Sequence, residues 1–506
     1  MKQHLLHIII LFLFIGTSFL GVPLGIAAQS TGGSPNDAVE EAEEALEDAT
    51  QGGGMEGGGQ EAAPNDAVEE ETEVDREDVE ASEDEDEDDL LERWRKTILY
   101  GIDAEVEELL PVLAQHGETR LSSEIEELLQ STPDPQLKSA IFEFFAQIDD
   151  EAATEEAAEV LSNYNSESPE LVRSAISYLR EGDFDLSDES LEAVRSIATS
   201  PRSGFTREAA RVLGDKGGEE DASVLRDALS QSTDTEEMSE IVLAMGDLGS
   251  PETVEPLLEI AADGSATSML RGYAADSLGR IGDPEAIDVL REMVSAEEAL
   301  VRAYAVSALS RFENAEVEGI LMSALRDSVA RVRELALEGV ARNGMSDALQ
   351  AVIYKAEQDP DETVREQAFE TLAQLPGSEG LTYVQDYVLD SDNSSKTRTA
   401  AASALIEHRL TDSIETLEEL VEEEWDVSQS QLLGLVAREL SSKEEPALSD
   451  LYKKFLSHEE PAVQIFGLRG IRTNAIGEMK EDVEEKTQEG AHPAVQQNAE
   501  AVLEQL

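Results

Sequence analysis

Residues 270–294 read LRGYAADSLGRIGDPEAIDVLREMV, and variants of this stretch recur from about residue 140 to the end of the chain. The spacing predicts one helix, a tight turn and a second helix. Leu270, Ala274, Ala275, Leu278 and Ile281 share one face of the helical period, and Ile287, Leu290 and Met293 or Val294 share one after the turn. Gly279 and Gly282 supply stop signals. Asp283 is the N-cap candidate with Pro284 at the first helical position, and Glu285 stands in the first turn, where the helix dipole favours an anion. Two short helices cannot bury both apolar stripes by themselves. They must stack on copies of themselves, so the pattern specifies an all-α solenoid.

With Leu278 as the anchor of the unit, equivalent positions fall at Leu179, Leu213, Met245, Leu309, Val340, Leu372 and Leu405, in steps of about 31 to 34 residues. Phe145 extends the series upstream, while Ile471 and Leu503 stay in phase downstream. The count is about eleven or twelve units once a less regular first one is included. Arg438 falls where an apolar anchor belongs, so either the register slips near Leu432 to Leu440 or that unit packs differently. A second mark runs through the units: Arg302, Arg333, Arg365 and Arg398 each lie about seven residues before an anchor. Gln431, Gln464 and Gln496 continue this column, and Arg173 and Arg207 stand one residue late in it. Asp327, Asp359 and Asp392 each precede a column arginine by about six residues, at the loop entering the helix. Stacking would alternate Asp and Arg across successive loops. We read this as a structural ladder that satisfies loop carbonyls and helix N-termini, in preference to a ligand-binding arginine row.

The segment Val301-Arg302-Ala303-Tyr304-Ala305-Val306-Ser307-Ala308-Leu309 and the segment Leu278-Gly279-Arg280-Ile281-Gly282-Asp283-Pro284-Glu285-Ala286 are the two halves of a recognisable pattern. Together they resemble the short HEAT-like repeat named after phycobilin lyases, V-R-x-x-A-x-x-A-L-G-x-x-G-D-P-E-A. The resemblance covers most of residues 138–506 and is strongest over 268–405. A tetratricopeptide repeat has a similar period but needs large aromatic residues in a fixed order, which a chain with 5% aromatics does not supply. The resemblance implies a right-handed superhelix whose second, Arg-bearing helices line the concave side. It hosts adaptors, lyase-type chaperones and a few nucleic-acid enzymes, so function does not follow from it.

Taken in order, residues 1–28 read as a secretory signal peptide: Lys2, an apolar run from Leu5 to Leu20, a break at Pro23 and small residues at Ala27 and Ala28. The alternative is an uncleaved anchor helix from Leu5 to Ala28. The chain has no cysteine, which excludes disulfides, thiol catalysis and thiolate metal sites. Residues 29–89 have the composition of a disordered acidic Gly-rich linker, with Pro35-Asn-Asp-Ala-Val-Glu-Glu41 repeated at Pro64 to Glu70. Residues 90–137 read as N-terminal capping helices and 138–506 as the repeat solenoid.

The chain carries 112 Asp and Glu against 37 Lys and Arg, a formal charge of -75. The linker holds about 25 acids and one base, so about 51 of the excess negative charges belong elsewhere and the solenoid itself is acidic. Such a surface repels a phosphate backbone, which excludes nucleic acid as a partner. Two physical readings stay open: adaptation to a high-salt medium, or an acidic concave surface that meets a cationic partner.

No constellation for catalysis emerges. His116, His408, His458 and His492 sit in separate repeats without the spacing of a helical metal site, and they read as caps or exposed residues. Paired carboxylates are too common here to identify anything. Trp425 reads as a lid over a repeat edge rather than a hot spot. No cofactor and no metal are expected. The leading expectation is an exported, periplasmic, envelope or secreted, non-enzymatic protein that binds another protein or an extended polypeptide along its concave face. The alternatives are a lyase-type chaperone handling a cofactor or modification, which only the family resemblance suggests, and a membrane-tethered spacer.

Overall fold

A computed structural model describes residues 87–506 apart from 201–203 and 489. The segments read as signal peptide and linker lie outside the described residues, except for Glu87, Asp88 and Asp89, the end of the linker reading, which open the first helix. Within them the chain forms 26 α-helices and five short 3-10 turns, from Glu87–Tyr100 to Pro493–Leu503, with no strand. The helices fall into thirteen successive pairs. The unit beyond the expected number comes from the region read as a cap, where the buried Leu113 lies about 32 residues before Phe145 and serves as an anchor of its own.

Helices stack in two series. The second helices of successive pairs, among them Thr235–Leu248, Ser268–Ile281, Ala299–Leu309, Ala330–Arg342 and Glu362–Gln374, each pack on the next second helix. The first helices, such as Val254–Ala262 and Ala286–Met293, form the other layer. The core lies between the layers and runs the length of the stack. Phe145, Leu179, Leu213, Met245, Leu278, Leu309, Val340, Leu372, Leu405 and Ile471 are all fully buried in it. Burial of that kind stabilises by about 1.5–3 kcal/mol per large apolar side chain.

Local chemistry sets the helix ends. Asp134 and Ser168 cap helices that begin with Pro135 and Pro169, and each side chain accepts a backbone N–H from the first turn. Asp283 does the same for the N–H of Glu285, and regular helix begins at Ala286. Gly282 closes its helix in the left-handed region, at φ 74°.

Gly279 plays a different part from the stop signal expected of it. It lies inside Ser268–Ile281, where a Cβ would come within 2.8 Å of Ala308 Cα on the next second helix. Gly214 against Ala244 and Gly246 against Ser277 repeat this contact, also at 2.8 Å. The second helices thus approach one another backbone to backbone, more closely than the first helices do. A stack spaced more tightly on one layer curves toward that layer.

At Arg438 the register slips. In Gln431–Leu440 the buried residues are Leu432, Leu433, Val436, Ala437 and Leu440, so Ala437 takes the anchor position and the Arg438 side chain is 60% exposed. Ser430, not Gln431, marks the helix entrance, and its hydroxyl accepts the N–H of Leu433.

Candidate functional site: the face of the second helices

The column arginines stand at the mouth of this face. Arg302 donates from Nη1 to the carbonyls of Ala296 and Glu297, and from Nε and Nη2 to both oxygens of Asp327 in the next unit, at 2.8 and 3.0 Å. Arg333 repeats the arrangement with the carbonyls of Asp327 and Ser328 and with Asp359, at 2.9 and 2.6 Å. Arg365 bonds the carbonyls of Asp359 and Pro360 and makes no ion pair among the described residues. The three arginines and two aspartates therefore form a continuous ladder through adjacent loops. Burial alone would raise the carboxyl pKa of Asp327 and Asp359, but the guanidinium bonds, a backbone N–H and, at Asp359, the Lys355 ammonium outweigh it and hold both below the ordinary range.

Two members depart from the expected pattern. Asp392 is exposed and donates its backbone N–H to Asp390, which holds the position that Asp327 and Asp359 hold elsewhere. Arg398 reaches the carbonyl of Val388 and pairs with Glu424 and Glu423, so a glutamate on a longer helix replaces the loop aspartate. The column also has a member that the sequence reading passed over: Arg271, 13% exposed, bonds the carbonyl of Ala261 just as Arg398 bonds Val388. It lies about seven residues before Leu278, so the period alone could have found it. Gln464 donates to the carbonyl of His458 in place of an arginine.

Beyond the ladder, most second helices present side chains five residues before, two before and two after the anchor, although Leu335 and Leu432, five before Val340 and Ala437, are buried. The last of these rows runs Glu181, Asp215, Asp247 in three successive units. Arg280, Arg311 and Arg342 follow, and then Gln374 and Glu407. The arginine units also carry the aromatic and apolar surface of this face: Tyr273 and Tyr304 meet edge to face with centroids 6.0 Å apart, and Met269 and Leu300 are 43% and 41% exposed. The signal was present in the sequence, but only the packing shows which residues of an amphipathic helix face outward together.

Electrostatics mark the same face. Desolvation pushes the carboxyls of Asp215, Asp247, Glu338, Glu370 and Glu439 above their ordinary pKa. For Asp247 the attraction of Arg280 offsets this only in part, although its side chain is 40% exposed. All five lie on second helices. Protein flanking a carboxylate on several sides strips part of its hydration in this way, and Glu338, Glu370 and Glu439 are half-buried. Tight glycine spacing puts the second helices on the concave side, and the desolvated carboxylates lie on that layer. Glu208, on the same face, has one oxygen shut off from solvent without a hydrogen-bond partner.

Elsewhere, Trp425 is half-buried against His458, with ring centroids 4.7 Å apart, and Lys454 Nζ stands 4.9 Å over its ring. His458 accepts the N–H of Glu460 at the start of a helix, and His492 accepts that of Ala494. Among the described residues no group of three or more His, Asp or Glu is placed to hold a metal ion, and no helix is long and apolar enough to cross a membrane.

Comparison with solved structures returns other stacked-helix proteins. The karyopherin Kap121p is 12% identical with a TM-score of 0.41 over 83% of this chain, which spans 55% of that protein. The complex of CpcE and CpcF of phycocyanin lyase from Nostoc sp. PCC7120 is 15% identical with a TM-score of 0.29, over 56% of this chain and 93% of that one. No curated protein sequence matches the chain. The model of the spirochaete HEAT repeat proteins matches residues 98–502, and this span, together with the thirteen stacked helix pairs, places the chain in the spirochaete HEAT repeat protein family.

Proposed function

We propose that the protein is an exported, non-enzymatic scaffold that binds polypeptide along the concave face of its second helices. HEAT-repeat solenoids offer extended concave surfaces of this kind, mostly to other proteins. The observation that carries the reading is the composition of the face itself. Exposed Met269 and Leu300, with Tyr273 and Tyr304 beside them, lie between stretches of desolvated carboxylate, and such groups gain free energy when a complementary surface covers them. Export rests on the sequence of residues 1–28, which implies an envelope or secreted location.

Cell fractionation with N-terminal sequencing of the mature chain tests export, with a new N-terminus near Gln29 as the expected result. Recovery of the chain in the cytoplasm with Met1 intact would contradict it. Affinity capture from the envelope fraction tests binding: Leu300→Asp with Tyr304→Asp should lose the partners that the parent chain retains, whereas Glu292→Lys on the opposite layer should keep them. Equal recovery by both variants would place the binding surface elsewhere.

A further inference from the structure

The concave face divides into three zones along the stack, and the division points to the chemistry of what it binds. Toward the N-terminus, Asp215 makes no hydrogen bond or close ion pair among the described residues, the attraction of Arg180, Lys216, Arg211 and Arg280 leaving its desolvation only partly offset, and Glu208 has an unpartnered oxygen. Toward the C-terminus, Glu370 has only Gln367 as a hydrogen-bond partner among the described residues. Between them the charges cancel internally: Arg280 is held by Asp247 and Asp276, and Arg311 by Asp276. What the central zone leaves exposed is Met269 and Leu300, with Tyr304, whose hydroxyl finds only the sulfur of Met269 at 3.9 Å.

Resting on the reading that this face is the binding surface, we propose that it takes an extended polypeptide segment with an apolar or aromatic centre and a cluster of Lys or Arg on each side. Spacing follows from the stack. The unit anchored at Leu213, which carries Asp215, and that anchored at Leu372, which carries Glu370, are five helix steps apart, and neighbouring helices pack about 8–10 Å apart, giving roughly 40–50 Å. An extended chain advances about 3.3 Å per residue, so the two basic clusters lie about 12–15 residues apart. Ammonium or guanidinium groups reaching Asp215 and Glu370 restore the stabilisation those carboxylates lose by desolvation, and the apolar centre covers Met269 and Leu300. Charge sets where the segment lies and the centre holds it there.

The test measures fluorescence anisotropy of labelled synthetic peptides with the full chain at physiological ionic strength. The first peptide has two Lys/Arg clusters about 12–15 residues apart around a Leu/Phe/Tyr centre. The others bring the clusters to about four residues apart, replace the centre by Ser and Gly, or replace the basic residues by Glu. The first should bind at least about tenfold tighter than any other. Asp215→Asn with Glu370→Gln should weaken it by about tenfold or more, as should Leu300→Ser with Tyr304→Ser, while Glu292→Gln with Glu318→Gln on the opposite layer should not. The Asn and Gln variants are near-isosteric and remove charges that burial disfavours, so loss of binding cannot be laid to misfolding. Equal binding of both basic spacings would reduce the effect to general attraction of polycations and overturn the proposal, as would binding of the Glu-flanked peptide. A peptide from a random pool that binds this face without these features would remove this inference and leave the scaffold reading standing. No peptide binding, with no effect of any substitution on this face, would remove both.

Discussion

Arg331 and Arg333 are two residues apart on one helix and differ in almost everything that matters to stability. The Arg333 side chain is 8% exposed and grips a fully buried Asp359, which Lys355 also reaches, whereas Arg331 is 60% exposed and meets only Glu334 and Glu338. Removing Arg333 leaves the buried Asp359 with Lys355 as its one remaining cation and takes the guanidinium donor from two loop carbonyls, so Arg333→Ala should cost about 3 kcal/mol. Arg331→Ala should cost less than about 1 kcal/mol. Denaturant unfolding of the two variants checks the contrast, and equal losses would mean that the ladder contributes nothing. The ladder was legible in the sequence because Arg302, Arg333 and Arg365 recur at a fixed distance from a recurring Leu or Val. Its exceptions were not. Glu424 reaches Arg398 only because the following helix, Leu410–Glu424, runs long enough to deliver a longer side chain to the place of a loop aspartate.

Between elements, glycine separates what the sequence shows from what it hides. Gly282 reads correctly as a helix end from its neighbours alone, since Asp283 and Pro284 start the next helix. Gly246 and Gly279 look the same in sequence but are there for the distance between two helices, a quantity no local pattern records. The register slip at Ala437 is hidden for a similar reason: Val436, Ala437 and Leu440 keep the stripe apolar in either phase, and only packing decides between them. Gly246→Ala should destabilise by about 1–3 kcal/mol, because its Cβ would meet the Ser277 backbone at 2.8 Å. Gly434→Ala, where nothing lies within 4 Å, should instead stabilise by about 0.5–1 kcal/mol through helix propensity. Thermal unfolding of both variants reads the two signs, and the same sign for both would refute the close-approach account. Within a pair of layers, Leu309→Ala removes a fully buried side chain and should cost about 2–5 kcal/mol.

Across the whole molecule, charge sets the response to solvent. Asp215, Asp247, Glu338, Glu370 and Glu439 have folded pKa values raised by desolvation, so the stability they permit is present below their unfolded values and is lost as pH rises through the folded ones. Asp327 and Asp359 act in the opposite sense: their contribution is present above the ordinary 3.8 and is lost as pH falls through their lowered values. His408, held below 6.5 by burial, weakens the fold as pH falls past its ordinary value, but it is one group against five. The thermal midpoint should therefore rise on acidification from neutrality, peak above pH 3.8 and fall below it. It should also rise with NaCl, since shortening the screening length from roughly 30 to 3 Å weakens repulsion among unpaired carboxylates before it touches buried contacts. A midpoint that is flat or falling with salt would mean that the charges are already compensated.

That the solenoid is acidic was legible from composition; that its desolvated carboxylates share one face with Met269 and Leu300 was not, because many residues of an amphipathic helix are polar and only stacking decides which of them meet. The claim that this face does the binding is open to a direct reading in the intact protein. A photo-activatable benzoylphenylalanine can be placed singly at Leu300 or Glu370 on the second helices and at Glu292 or Glu318 on the first, and the full chain irradiated in the cells that make it. Discrete covalent adducts to polypeptide from Leu300 and Glu370, and none from Glu292 and Glu318, are the result predicted. Adducts confined to Glu292 and Glu318 would contradict the account and move the working surface to the opposite layer.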